Sequence, residues 1–232
     1  MSWIEEKIKE NYIFVSVLKK SENKEIIRLR HKKLEKDIIM RKFKGYDEVY
    51  KILSENYIEN IPEILSVSQD NDTCIVLEEF INGMTVSEIL ETSLFDEKNA
   101  KAVVKSVCNA LRFLHTLNIV HRDIKPENIM IDSNGKVYLI DFDASRIYKA
   151  FKSDDTRIIG TTGYAAPEQF GINQTDCRTD IFAVGILMNV MLTGEHPSKK
   201  LYKGSLRKII EKCTEVSPDE RFQCIEELII KL

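Results

Sequence analysis

The densest chemical signal in the sequence is the run His121-Arg122-Asp123-Ile124-Lys125-Pro126-Glu127-Asn128. It is followed by Asp141-Phe142-Asp143, then by Gly160-Thr161-Thr162-Gly163-Tyr164-Ala165-Ala166-Pro167-Glu168. Asp123 and Asn128 lie five apart on a turn that Pro126 keeps from being helical. Asp141 closes an apolar strand read over 137–140. Oxygen ligands at strand and loop ends suit Mg2+, a hard ion that keeps water and phosphate in its shell. Lys125 adds a cation where phosphate charge would build up. Any one of these residues alone is a common loop residue that satisfies backbone groups. All of them in this order read as a phosphate and metal site.

At these residues the chain resembles the eukaryotic-like protein kinase family, in its bacterial Ser/Thr form, and the resemblance covers nearly the whole chain. In that family the catalytic loop H-R-D-x-K-P-x-N supplies a base aspartate and a metal-binding asparagine, and D-F-G the main metal aspartate. Carried over, the resemblance implies that Asp123 accepts or orients the substrate hydroxyl proton and that Lys125 steadies the γ-phosphate, as in Ser/Thr rather than Tyr kinases. Asn128 and Asp141 would hold Mg2+, with Mn2+ as a substitute, and Thr161 would pack beside the catalytic Asp and Lys. Ala166-Pro167-Glu168 matches the A-P-E signature, with Arg221 of Pro218-Asp219-Glu220-Arg221-Phe222 as its ion-pair partner. Asp180 and Gly185 match the D-x-x-x-x-G that opens a buried helix and braces the catalytic loop. Small-molecule kinases of related fold usually lack the A-P-E segment. The implied reaction is transfer of the ATP γ-phosphoryl group to a Ser or Thr hydroxyl of a protein substrate.

The elements that must position these groups change character near residue 80. Before it, β-branched and aromatic runs over 12–18, 25–30, 37–43 and 73–77 read as strands, with 19–24 as a hairpin turn. Val49, Ile52 and Leu53 recur at helical spacing over 46–56, and Pro62 ends any helix before it. After residue 85 the pattern is mostly helical. Short helix 86–91 precedes a longer one opened by Asp96 or Glu97, with Ala100, Val103, Val104, Val107, Ala110, Leu111 and Leu114 on one face. Ser133-Asn134-Gly135 marks a hairpin. Residues 181–192 form the longest apolar stretch, too short to span a membrane, and read as a core helix. The fold expected is α+β and two-lobed, a single kinase domain over 1–232. A small antiparallel β-sheet N-lobe with one helix covers about 1–78, a hinge about 78–83, and a larger, mostly helical C-lobe about 84–232. A ligand is expected in the cleft between two such lobes.

The front of the chain departs from the family. No glycine precedes Gly45, so a G-x-G-x-x-G loop is impossible in the first two strands. Glycine there lets backbone N–H groups approach phosphates. Lys19, Lys20 or Lys24 could replace some of that contact with side-chain charge, or mark a solvated hairpin tip, and weaker ATP binding than a typical kinase is expected. The family's third-strand lysine corresponds to Arg41, with Phe43 on the same face, or, shifted by one, to Lys42. Strand period is two, so both cannot serve. Arg41 is preferred; it keeps the charge but not the shape. Its partner is expected to be Glu48, on the following helix. Leu77 resembles the residue behind the adenine pocket, and the Glu78 carbonyl and Phe80 amide would pair with the adenine edge. Asp143 replaces the glycine of D-F-G and is expected to face solvent. Arg122 is the cation that in many kinases pairs with a phosphorylated activation loop. Thr156 and Thr162 are candidate phosphorylation sites, and Asp154 and Asp155 could stand in for phosphate. These departures leave a second reading open: a pseudokinase that binds nucleotide or acts as a scaffold.

Composition bounds the rest. The chain has 232 residues, 43% hydrophobic and 31% charged, with net charge −3, which excludes a disordered or collagen-like chain and gives no sign of a nucleic-acid binder. Five widely spaced cysteines without a CxxC pair fit reduced thiols in the cytoplasm better than disulfides or structural zinc. The start, charged at once, is unlike a signal peptide. The expected partners are ATP and a protein substrate, with the chain a monomer or weak dimer; a longer polypeptide could add domains or an anchor.

Overall fold

Strand-forming runs separated by short charged turns build the first part of the chain, as their alternation requires. The computed structural model describes residues 3–45, 47–70, 72–148, 163–170 and 175–232. They divide into two compact units. One holds the chain up to Ile58 together with Pro62–Asn82, the other Glu59–Ile61 together with Gly83–Leu232.

In the first unit, helix α1 (Trp3–Asn11) leads into β1 (Tyr12–Ser21), β2 (Lys24–His31), β3 (Asp37–Lys44), helix α2 (Glu48–Ser54), β4 (Ile64–Asp70) and β5 (Thr73–Glu79). The strands form one antiparallel sheet in the order β1-β2-β3-β5-β4. Ser21 opposes Lys24, which leaves Glu22-Asn23 as the hairpin turn. Two elements go beyond the sequence reading. In β4, Ser66, Ser68 and Gln69 hide the strand from any hydrophobic count, yet Ser66 and Ser68 pair with Leu77 and Ile75. Helix α1, at nine residues, is too short to persist alone. Ile8 and Asn11 of α1 line a cavity of about 210 Å3 with Ile75 and Leu77.

The pleat gives the sheet two distinct faces. Ile39, Arg41 and Phe43 of β3 share one with Glu78, Val76 and Cys74 of β5. Helix α2 lies on that face, the Tyr50 ring 5.9 Å from that of Phe43. Asp47 caps α2, its side chain accepting from the N–H groups of Val49 and Tyr50, and Val49, Tyr50 and Leu53 are buried. At the start of β3, Asp37 sits between Arg28 (Nε–Oδ2 2.7 Å) and Arg30 (Nε–Oδ1 2.6 Å) of β2. The Arg30 bond, aided by Arg28 and opposed by burial, holds the Asp37 carboxyl down at about 2. An unfolded carboxyl titrates near 3.9. Asp37 therefore stabilises the fold above about pH 4, and that contribution fades as pH falls through about 2. Asp37→Asn should be less stable than the parent at neutral pH, with the gap closing on acidification. Denaturation midpoints measured across that range check it.

The second unit opens with β6 (Gly83–Thr85) and α3 (Val86–Leu90), held by a capping box between Thr85 and Glu88. Helix α4 (Glu97–Thr116), capped by Asp96, buries the whole apolar stripe from Ala100 to Leu114 that the sequence marks. Then follow β7 (Ile119–Val120), β8 (Ile129–Asp132), β9 (Val137–Leu139), β10 (Arg146–Ile147), α5 (Cys177–Thr193), α6 (Arg207–Cys213) and α7 (Ile225–Lys231). Strands β6, β8 and β9 form one small sheet, β10 and β7 another. The segment around Asn60 joins this unit: Leu139 N–H donates to the Asn60 carbonyl (2.7 Å) and Asn60 Nδ2 to the Val137 carbonyl (2.9 Å).

Helix α5 is apolar nearly all round and is accordingly buried. Its one amide, Asn189, donates to the carbonyls of Glu195 and Lys200 and accepts from Tyr202 N–H, pinning the loop after α5. The helix stops at Gly194, at φ 75°. Gly185 lets α6 approach: a Cβ there would stand 2.5 Å from Cys213 Cβ and 2.9 Å from Thr214 Cγ2. Gly185→Ala should therefore destabilise by about 1–3 kcal/mol, outweighing the helix-propensity gain, as a lower urea midpoint. Among the described residues no helix is long and apolar enough to cross a membrane.

Candidate active site

Backbone bonds set the loop that carries Asp123. Pro126–Asn128 make a single 3-10 turn, with Asn128 N–H donating to the Lys125 carbonyl. Ile140 N–H donates to the Asn128 carbonyl at 2.9 Å, so the loop lies along the end of β9 and Asp141 follows at once. The side chains then converge. Asn128 Nδ2 donates to both the carbonyl and Oδ2 of Asp123, each at 2.8 Å. Lys125 Nζ lies 2.7 Å from the same Oδ2. With its NH2 group on Asp123, the amide oxygen of Asn128 is the atom it could offer a cation. Asp141 directly follows Ile140, whose N–H is bonded to the Asn128 carbonyl. This all-oxygen donor set fits a hard divalent ion. An ion held by so few protein oxygens would complete its shell with phosphate and water.

The loop is strained and clamped. Arg122 and Asp141 carry side chains at φ 67° and 66°, conformations that persist only where the surroundings over-determine them. Asp180, wholly buried at the start of α5, provides much of that constraint. Its Oδ1 accepts from Arg122 N–H (2.8 Å), and its Oδ2 from His121 N–H (2.9 Å) and faces His115 Nε2 at 2.9 Å. Burial opposes the Asp180 charge, but the His115 bond, the nearby imidazoles and Arg122 N–H hold its carboxyl below the usual range. Burial lowers the His121 imidazole against the pull of Asp180, Asp123 and Asp141, and its ring stands edge-on to Phe142 at 5.1 Å. Arg122 Nε donates to the Ala144 carbonyl at 2.7 Å.

A second clamp fixes the segment after Gly163. Glu168 and Arg221 form a two-pronged ion pair, Nη1–Oε1 2.8 Å and Nη2–Oε2 2.9 Å, joined by Thr179 Oγ1 on Oε1. Buried Gln169 bridges Ala166 N–H and the Arg122 carbonyl, both at 2.9 Å, and so ties this segment to the loop that carries Asp123. Gln169, Thr179 and His115 escaped the sequence reading. The first merely follows Glu168, the second lies beside Asp180, and the third is a single histidine in the last turn of α4. None carries a signal of its own. Asp143 is exposed, within a turn closed by Ser145 N–H on the Phe142 carbonyl. Its φ is not positive, so the turn does not require glycine there. Thr156, Thr161 and Thr162, with Ser153, Asp154 and Asp155, lie outside the described residues.

In the first unit the candidates sort by face. Arg41 is 4% exposed and Glu78 6%, and Arg41 Nε lies 2.7 Å from Glu78 Oε1. Lys42 turns to the opposite face. Two expectations need correction. The partner described for Arg41 is Glu78 on β5, whereas Glu48 is exposed in the first turn of α2. Leu77, expected behind the adenine pocket, lies on the opposite face of β5 from Val76 and Glu78, which share the face of Arg41. Phe80 lies under the guanidinium of Arg28, 4.1 Å from its ring centroid.

A family model for the protein kinase domain matches residues 13–229. Serine/threonine-protein kinase PknB of Mycobacterium tuberculosis is 35% identical over 126 residues, 53% of this chain and 20% of that protein. A probable serine/threonine-protein kinase of Clostridium acetobutylicum is 28% identical over 198 residues, 75% of this chain and 30% of that protein. The matched stretches thus span less than a third of these relatives.

Proposed function

Since the chain belongs to the protein kinase family, we propose that it transfers the γ-phosphoryl group of ATP to a serine or threonine hydroxyl of a protein, its two units acting as one kinase domain. The observation that carries this reading is the meeting of Lys125 and Asn128 on the Asp123 carboxylate, with Asp141 following the residue whose N–H bonds the Asn128 carbonyl. Asp123 orients the acceptor hydroxyl and takes up its proton. Lys125, held against Asp123, sets a positive charge next to the oxygen that attacks. Asn128 and Asp141 are the residues that would hold magnesium, which when bound neutralises phosphate charge. Arg41 takes the place of the family's third-strand lysine toward the nucleotide phosphates. Catalysis then rests on positioning and charge neutralisation. Thr156 and Thr162 are proposed phosphorylation sites, with Arg122 as the cation that would receive the phosphate.

The front hairpin favours one alternative, a nucleotide-binding pseudokinase. Its turn is Glu22-Asn23, without glycine, and Lys20 is paired with Glu25 at 2.9 Å. A transfer assay with γ-labelled ATP, on generic protein substrates and on the chain itself, separates the two. Kinase activity gives magnesium-dependent label on serine or threonine that chelation abolishes. A pseudokinase binds nucleotide and transfers none. Calorimetric titration should give an ATP affinity weaker than low micromolar.

A further inference from the structure

The cation that the resemblance places on the third strand is normally held by a carboxylate from the neighbouring helix. In this chain the helix offers none to it: α2 presents Val49, Tyr50 and Leu53 to the interior and leaves Glu48 exposed. A carboxylate within hydrogen-bond distance of Arg41 comes from the sheet itself. Glu78 lies on β5, the strand bonded directly to β3, on the same face and one diagonal step from Val76, the residue opposite Arg41. The pair is almost wholly removed from solvent, and a charged, hydrogen-bonded pair so placed fixes both side chains firmly.

We infer that Glu78 is the positioning residue for Arg41, replacing the helix glutamate with a carboxylate built into the sheet. This rests on the proposed role of Arg41 toward the nucleotide phosphates. Two strands joined by a hydrogen-bonded ladder hold their register. The Arg41–Glu78 pair therefore stays formed wherever α2 stands, and a shift of α2 is no longer a means of switching it off. The guanidinium suits the arrangement, since it stays charged when buried and offers several donors in a fixed fork. A lysine would present one point charge instead.

The test compares Glu78→Gln, Glu48→Ala and Arg41→Lys in the 232-residue chain. Calorimetry measures two probes: the magnesium complex of a non-hydrolysable ATP analogue, and adenosine. Glu78→Gln and Arg41→Lys should each weaken the analogue on the order of tenfold or more and leave adenosine unchanged; Glu48→Ala should alter neither. Independently of any ligand, the Arg41 Nε–H resonance, assigned by its loss in Arg41→Lys, should exchange slowly with water in the parent and in Glu48→Ala. It should exchange fast in Glu78→Gln. If Glu78→Gln does not fold, Glu78→Asp, which keeps the charge and shortens the reach, should show the same selective loss in smaller measure. Equal loss of both probes on altering Glu78 would reduce it to a structural role and overturn the inference, as would selective loss on altering Glu48. If the parent binds neither probe, the phosphotransfer reading itself falls, and the inference with it. If the parent binds both and no variant differs, the inference alone falls.

Discussion

Asp123→Asn should lower phosphate transfer by about 10²–10⁴-fold, the range for loss of a positioned general base. The amide has the size of the carboxylate but cannot take a proton at neutral pH. It also turns an acceptor of two donors, Lys125 Nζ at 2.7 Å and Asn128 Nδ2 at 2.8 Å, into a group that offers hydrogens of its own. In the proposed reaction Asp123 meets the acceptor hydroxyl rather than the nucleotide, so the loss should appear mainly in kcat. Far-UV circular dichroism should be unchanged, since Asp180 and Gln169 still clamp the loop. Transfer at the parental rate would remove Asp123 from the chemistry.

The largest effect on stability is expected at Arg221. A guanidinium has five N–H donors, and here each has an acceptor. Nε meets the Glu215 carbonyl, Nη1 meets Glu168 and the Arg178 carbonyl, and Nη2 meets Glu168 and the Val216 carbonyl, all within 2.8–3.0 Å. The plane stacks 4.7 Å from the Phe182 ring centroid. Arg221→Ala strands a nearly buried Glu168 carboxylate and three carbonyls. Breaking a buried pair from one side costs about 3–5 kcal/mol, against a total stability of about 5–15 kcal/mol for a domain. Arg221→Lys, which keeps the charge and loses the fork, should fall between. Arg207→Ala, which breaks the exposed pair with Glu211, should cost no more than about 0.5 kcal/mol. Urea midpoints rank the three, and an Arg221→Ala midpoint equal to that of Arg207→Ala would contradict the account.

What could be read from the sequence, and what could not, follows from the range of each interaction. Asp123, Lys125 and Asn128 meet across five residues of one loop, so their spacing already encodes their contact. The stripe of α4 and the apolar length of α5 are periodic signals within single elements. The Glu168–Arg221 pair, though 53 residues apart, was reached only through the family resemblance. Strand β4 was hidden because serines face across to Leu77 and Ile75, so its stability comes from pairing rather than from its own hydrophobicity. The face of Leu77 was not legible because an apolar run such as Ile75-Val76-Leu77 shows no alternation, and parity emerges only from the partner strand. The Arg41–Glu78 pair depends on that parity and was therefore out of reach.

The bonds of Asn60 bear on how the polypeptide can be divided. Residues 59–61 belong with Gly83–Leu232, although the stretches on both sides of them belong to the other unit. A gene fragment begun at Gly83 would lack that tripeptide, leaving Leu139 N–H and the Val137 carbonyl of β9, which ends two residues before Asp141, without their acceptor and donor. The two halves are thus interleaved along the chain, and no single cut between residues separates one cleanly from the other.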